Sequence, residues 1–208
     1  MLEHVIAKAG IKHSDHILDI GCGTGNLEQR LYAKFPLAQV TGIDSASAML
    51  SRAKHKARPD WFKEIDLNKS LSSQGVLGHY NVIFATNVLY TLSNPSSLIK
   101  ELAELSSPGA VMVASTPKAG ARLLPILTYH HREIKLRDGR YSRVRLTASL
   151  ILVGLLNIVI IRRGEQGSYC FASKADLHEW FAHSGWRIVE ISETYAGQDW
   201  LVVAKHKS

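Results

Sequence analysis

The sequence predicts an α/β fold, a doubly wound and mostly parallel sheet, on three observations. Short apolar runs alternate along the chain with helical patterns, the order expected of successive strand–helix units. The first of these runs, Ile17 to Ile20, leads straight into three glycines at alternate positions, Gly21, Gly23 and Gly25, and then into a helical pattern. The second run, Gln39 to Ile43, ends in an acid, Asp44, nineteen residues past Gly25.

Each element has its own signal. Leu2 to Ala9 leaves room for one lead-in helix ahead of the first strand. After the glycines, Asn26 to Lys34 reads as a helix with Leu27, Leu31 and Phe35 on one face. Ser45 to Arg58 follows the second strand as a helix with Ala46, Met49, Leu50 and Ala53 facing inward, stopped by Pro59. A third strand, Trp61 to Ile65, ends at Asp66-Leu67. The fourth, Tyr80 to Thr86, is nearly continuous apolar, as a strand buried on both faces should be. A helix over Pro95 to Leu105 starts behind Asn94 as its cap. Pro108-Gly109 reads as a turn before a fifth strand, Ala110 to Ser115. The alternation breaks for about fifty residues, then resumes with a helix at Lys174 to Ser184 and strands at Trp186 to Ile191 and Trp200 to Lys205, the last closing a hairpin.

At 208 residues and 46% hydrophobic, the chain can bury one good core, so residues 1–208 are expected to form one domain. No N-terminal segment pairs a basic head with an apolar run, and two cysteines, Cys22 and Cys170, are too few for a disulfide framework. A reducing, cytoplasmic setting is the expectation. The net charge of +7 is local: residues 118–168 carry all of it, and elsewhere acids and bases cancel. The histidines and carboxylates show no metal-ligand spacing, so no metal is expected.

The glycine turn and Asp44 point to an adenosine-bearing cofactor. Glycines let backbone pass close to a ligand, and an acid ending the second strand can accept from both ribose hydroxyls. A dinucleotide site needs Gly-x-Gly-x-x-Gly. Counting from Gly21, the last of those positions is Asn26, and the pattern fails. The observed Asp19-x-Gly21-x-Gly23-x-Gly25 instead resembles motif I of the class I S-adenosylmethionine (SAM) methyltransferases, over residues 14–117 and 170–206. Asp44 followed by Ser45 through Met49-Leu50 is similar to that family's segment over the ribose. Asp66-Leu67 looks like its adenine clamp, and Tyr80 to Ile83 through Asn87 to Leu92 like motif IV and the segment bordering the methyl group.

The resemblance implies a Rossmann-like sheet of seven strands with the last antiparallel, and a helical insertion between strands five and six. It also implies SAM as cofactor and S-adenosylhomocysteine (SAH) as product. Asp19, Gly21, Gly23 and Gly25 would hold the methionine part, with Cys22 acting through its backbone. Asp44, Ser45 and Met49 would meet the ribose, Asp66 and Leu67 the adenine, and Asn87 the cofactor side of the methyl.

The acceptor is harder to read. Tyr90 lies just past strand four, and His130 and His131 lie in the insertion. These three are the candidate catalytic groups, and the histidine pair also reads as a solvated surface feature. Ala85-Thr86-Asn87-Val88 stands where amino-methylating nucleic-acid enzymes carry Asp/Asn-Pro-Pro-Tyr/Phe, and no Pro-Cys occurs. That argues against a nucleic-acid acceptor, although the Lys and Arg residues of 118–168 keep RNA open. Within the insertion, residues 146–161 are uncharged and bracketed by arginines. As a helix they would span about 24 Å, short of the ~30 Å hydrocarbon core. Three readings stand: a cap helix or homodimer contact through 140–163, a lid over an apolar acceptor, or peripheral membrane attachment. The expected activity is methyl transfer from SAM to a small, apolar acceptor such as a quinone or lipid-like phenol. An RNA methyltransferase and a SAM-binding module without activity are the alternatives.

Overall fold

The fold is described from a computed structural model over residues 1–122 and 169–207, with five isolated positions between them, Pro125, Ile158, Val159, Arg162 and Arg163. His130, His131 and the apolar stretch 146–161, apart from Ile158 and Val159, lie outside the described residues, and so do the readings that rest on them.

In chain order the elements are α1 (Leu2–Ala9), β1 (His16–Ile20), α2 (Asn26–Lys34), β2 (Gln39–Asp44), α3 (Ser47–Ala53), β3 (Phe62–Glu64), β4 (Tyr80–Thr86), α4 (Pro95–Glu104) and β5 (Ser106–Pro117). After the insertion come α5 (Lys174–Ala182), β6 (Trp186–Thr194) and β7 (Asp199–His206). The strands form one seven-stranded sheet in the order β3-β2-β1-β4-β5-β7-β6. β1 to β5 are parallel, and β7 runs antiparallel to both of its neighbours.

Period-two alternation explains why helices cover both faces. Ile17, Val40, Val82, Phe84, Val113 and Leu201 face one side and pack with Val5, Ile6, Leu27, Leu31 and Leu50 from α1, α2 and α3. Their neighbours Leu18, Ile43, Ile83, Ala85, Met112 and Val202 face the other, against Leu98, Ile99 and Leu102 of α4 and Leu177 and Phe181 of α5. Asn94 caps α4 as its sequence position predicts, accepting from the Ser97 N–H at 3.0 Å. α5 opens with a capping box in which Ser173 and Asp176 exchange side-chain-to-backbone hydrogen bonds.

Three elements differ from their sequence signals. The helix expected over 45–58 is only α3, 47–53. It starts late because Asp44 Oδ1 accepts from the Ala46 N–H at 2.8 Å, a local turn that keeps Ala46 extended. It ends early because the chain tightens: the Lys56 N–H bonds Ala53 O, three residues back, while Lys56 Nζ reaches Thr24 Oγ1 (3.1 Å) and Asn26 Oδ1 (2.6 Å). Met49 is therefore not an inward residue but 42% exposed. Trp61 belongs to a 3₁₀ turn begun by Pro59, so β3 starts at Phe62. Pro108-Gly109 does not separate two elements. It lies within β5 as a bulge, where pairing with β4 jumps from Tyr80–Ser106 to Val82–Val111 and Gly109 takes a left-handed φ of 75°.

Candidate functional site

Strands β1, β2 and β4 all end on one edge of the sheet, and the candidate cofactor residues follow those ends. In an open α/β sheet, that carboxyl edge is where ligands bind. The turn after β1 is pinned to β2, since the N–H groups of Gly21 and Cys22 both donate to Ile43 O, at 2.8 and 3.1 Å. Gly23 N–H donates to Asp44 Oδ2 at 2.8 Å. Each Asp44 oxygen thus holds one backbone N–H and keeps a lone pair for a further donor. The Cys22 thiol is buried, and burial followed by the charges of Glu28, Asp19 and Asp44 pushes its pKa upward.

The three glycines have different reasons to be glycine. All have positive φ, between 55° and 71°. A Cβ at Gly21 would stand 2.5 Å from Val88 Cγ2, and one at Gly25 would stand 2.8 Å from Ala53 Cβ. A Cβ at Gly23 would meet nothing within 4 Å. Gly21 and Gly25 are packing positions, and Gly23 presents bare backbone to open space. That open backbone beside the Asp44 carboxylate suits a cofactor lying across the turn.

Asp19 lies near the end of β1. It is 1% exposed, and its Oδ1 has no partner among the described residues. Beside it lies Glu28 of α2, fully buried, with both carboxyl oxygens likewise unpartnered. Gly42 of β2, in register with Asp19, makes room: a Cβ there would stand 2.6 Å from Glu28 Oε1. Two carboxylates cannot hydrogen-bond each other without a proton, and burial opposes ionising either. Burial, then the neighbouring Glu28, holds Asp19 well above the usual carboxylate range, and burial pushes Glu28 up to about 7. Sequence reading missed Glu28. Its signal was its place in the helical stripe, next to Leu27 and three residues before Leu31.

Past β3, Asp66 Oδ1 accepts from Asn68 N–H at 3.0 Å. That bond, with the Lys69 ion pair, holds the carboxyl below its usual range. Gln74 clamps the Asp66 backbone from both sides, accepting from its N–H and donating to its C=O, each at 2.9 Å. Leu67 is half-buried against the core. Ser45, next after Asp44, and Met49, five residues past it, are both exposed.

Past β4, Asn87 takes a left-handed φ of 54°, a conformation that asparagine tolerates. Its N–H donates to Ser115 O, and its Oδ1 accepts from Ser115 Oγ at 3.2 Å. Tyr90 is buried, and its ring meets Tyr169 edge-on at 5.0 Å and Phe171 at 6.0 Å. Arg163 donates to the Tyr169 hydroxyl at 2.9 Å. Among the described residues no His, Cys, Asp or Glu cluster could hold a metal ion, and no helix is long and apolar enough to cross a membrane.

Residues 2–191 match the family model described as a methyltransferase domain. The chain belongs to the class I SAM-dependent methyltransferases. A trans-aconitate 2-methyltransferase of Escherichia coli O1:K1 is 32% identical over 113 residues, which are 54% of this chain and 43% of that protein. The chain thus matches less than half the length of this curated relative. Among solved structures, a SAM-dependent methyltransferase from Mesorhizobium loti has a TM-score of 0.62 at 14% identity, with 98% of this chain and 96% of that one covered. The magnesium protoporphyrin IX methyltransferase of Synechocystis, solved with bound SAH, has a TM-score of 0.59 at 18% identity, covering 99% and 80%. These likenesses establish the methyltransferase fold for this chain, with its seventh strand antiparallel. SAM is the family's cofactor.

Proposed function

We propose that this chain transfers a methyl group from SAM to a small, apolar acceptor. The observation that carries the reading is the aromatic wall of Tyr90, Tyr169 and Phe171, which adjoins Asn87 at the edge where the cofactor turn also lies. A planar or greasy molecule can pack against such rings. The match to trans-aconitate methyltransferases, whose named acceptor is a small molecule, agrees with the size of the acceptor.

SAM, when bound, supplies an electrophilic methyl on a positively charged sulfur. The protein's own work is alignment and exclusion of water. The open backbone at Gly23 admits the methionine part, and Asp44 accepts from the ribose hydroxyls with its spare lone pairs. Asp66, fixed by Gln74, accepts from the adenine amine, and Leu67 packs on the ring. Asp19, beside Glu28, shapes the turn from beneath. Asn87, tied to Ser115, borders the methyl. Tyr90 keeps its proton: burial, then the charges of Tyr169 and Asp199, pushes its pKa to about 12, so it acts as a wall or a hydrogen-bond donor.

Calorimetry tests the cofactor half. SAM and SAH are expected to bind, and Asp44→Ala to weaken both at least about tenfold, the worth of a pair of hydrogen bonds to a carboxylate. NAD binding without SAM binding would overturn the reading. Tritium transfer from labelled SAM tests the acceptor half, with hydroquinones and catechols beside total RNA as substrates. Label in RNA alone would replace the small acceptor by a polymer.

A further inference from the structure

One buried acid on the carboxyl edge has no part in holding the cofactor. Because β7 runs against β5, its first residue, Asp199, pairs with Pro117 at the end of the β5 ladder. That places it on the same edge as Asn87. Asp199 is 4% exposed. The Asn87 side-chain oxygen is already taken by Ser115, which leaves its amide N–H groups as the side chain's free donors, and their influence on the Asp199 carboxyl is to lower its pKa. Among the described residues, the titratable group acting on Asp199 is Lys118, and Asp199 in turn raises the pKa of Tyr90. The Lys118 ammonium is shared, since it pairs with Glu193 at 2.6 Å and lies 4.2 Å over the Trp200 ring. Burial outweighs the hydrogen bond and the cation, and Asp199 is pushed up to about 7. A carboxyl poised there can take a proton near neutral pH and release it again.

We propose that Asp199 is the proton acceptor for the molecule being methylated, oriented by Asn87 and set beside the aromatic wall of Tyr90. The proposal rests on the methyl-transfer reading above and adds that the acceptor carries an ionisable hydroxyl or an acidic C–H. For a hydroxyl, the O–H proton passes to an Asp199 carboxylate oxygen and the electron pair left on oxygen forms the new bond to the methyl carbon. The pair of the broken S–C bond returns to sulfur, giving the neutral thioether. Asp199 then loses its proton to water, one per turnover.

Two measurements on the full chain test it. In cofactor-free protein labelled with [¹³C]aspartate, the Asp199 carboxyl signal, assigned by its loss in Asp199→Asn, is expected to titrate near 7. A midpoint at the ordinary aspartate value, about 4, overturns the proposal whatever the activity. In the tritium assay with hydroquinones and catechols, Asp199→Asn is expected to lower kcat by about 10²–10⁴-fold. Its affinity for SAM should stay within about twofold by calorimetry, and Asp199→Glu should restore part of the rate. The wild-type rate should rise with pH through a midpoint near 7, and that limb should vanish in Asp199→Asn. In Asn87→Gly, which keeps the left-handed backbone but removes the donor, the limb should move to higher pH. Methylation with the same pH profile in wild type and Asp199→Asn overturns the proposal alone. No methylation of any phenol by a protein that binds SAM overturns the acceptor reading and the proposal with it.

Discussion

Gly25→Ala is expected to destabilise the domain severely, and Gly23→Ala, two residues away, to leave it folded but poor at binding SAM. At Gly25 the new Cβ would stand 2.8 Å from Ala53 Cβ and 2.9 Å from Ala53 Cα, on a backbone with φ of 71°. Ala53 is buried in α3 and its Cα cannot swing aside, so strain in φ and overpacking add, to about 2–5 kcal/mol. At Gly23 the φ of 55° costs its share, about 1–2 kcal/mol, but the methyl enters open space. That space is where the proposed cofactor crosses the turn. Thermal melts should therefore separate the two variants, and calorimetry should find SAM affinity reduced at least about tenfold in folded Gly23→Ala. Equal loss of stability in both would remove the distinction between packing and ligand-facing glycines.

Glu28→Gln is expected to make the protein more stable at pH 8 and to change little at pH 5. Glu28 titrates at about 7 in the fold, against an ordinary value of 4.5. A carboxyl raised in this way lends its stability fully below the unfolded value. That stability drains as pH rises toward 7 and is absent above it. Glutamine stays neutral at every pH, and its amide can donate to the orphaned Asp19 Oδ1. The gain at pH 8 should be about 1–3 kcal/mol, the cost of an unsatisfied buried group. Melts of both proteins from pH 5 to pH 8 check it, with other titrating groups common to both. A variant less stable than wild type at pH 8 would mean that the pair is held ionised by something else.

Much of the fold was legible because most signals were local. The apolar run at Tyr80–Thr86, the cap at Asn94 and the glycines after Ile20 each act within a few residues, and each element lies where its pattern puts it. The departures all involve partners distant in sequence or competing local bonds. α3 is short because Asp44 claims the Ala46 N–H at one end and Lys56 turns back to Thr24 and Asn26 at the other. Pro108-Gly109 reads as a turn by composition, yet lies inside a strand because β4 pairs on both sides of it. The glycine turn and Asp44 could be named from spacing, and Asp66 through the family resemblance. Glu28, Gln74 and Asp199 could not. Glu28 is buried only because Gly42, on another strand, leaves space for it, Gln74 matters through eight residues of loop, and Asp199 resembles any aspartate beginning a strand.

The place of β7 in the sheet orders how the molecule can be built. Among the described residues β6 pairs only with β7, and β7 separates it from β5. As the chain leaves the ribosome, β1 to β5 can align while β6 still has no strand to join. The final eight-residue strand must slot between two segments already made, closing contacts with β5 across more than eighty residues of chain, a long and therefore slow loop closure. That strand also delivers Asp199. The half that carries the cofactor turn can take shape first during synthesis, and the half proposed to handle the acceptor is finished last.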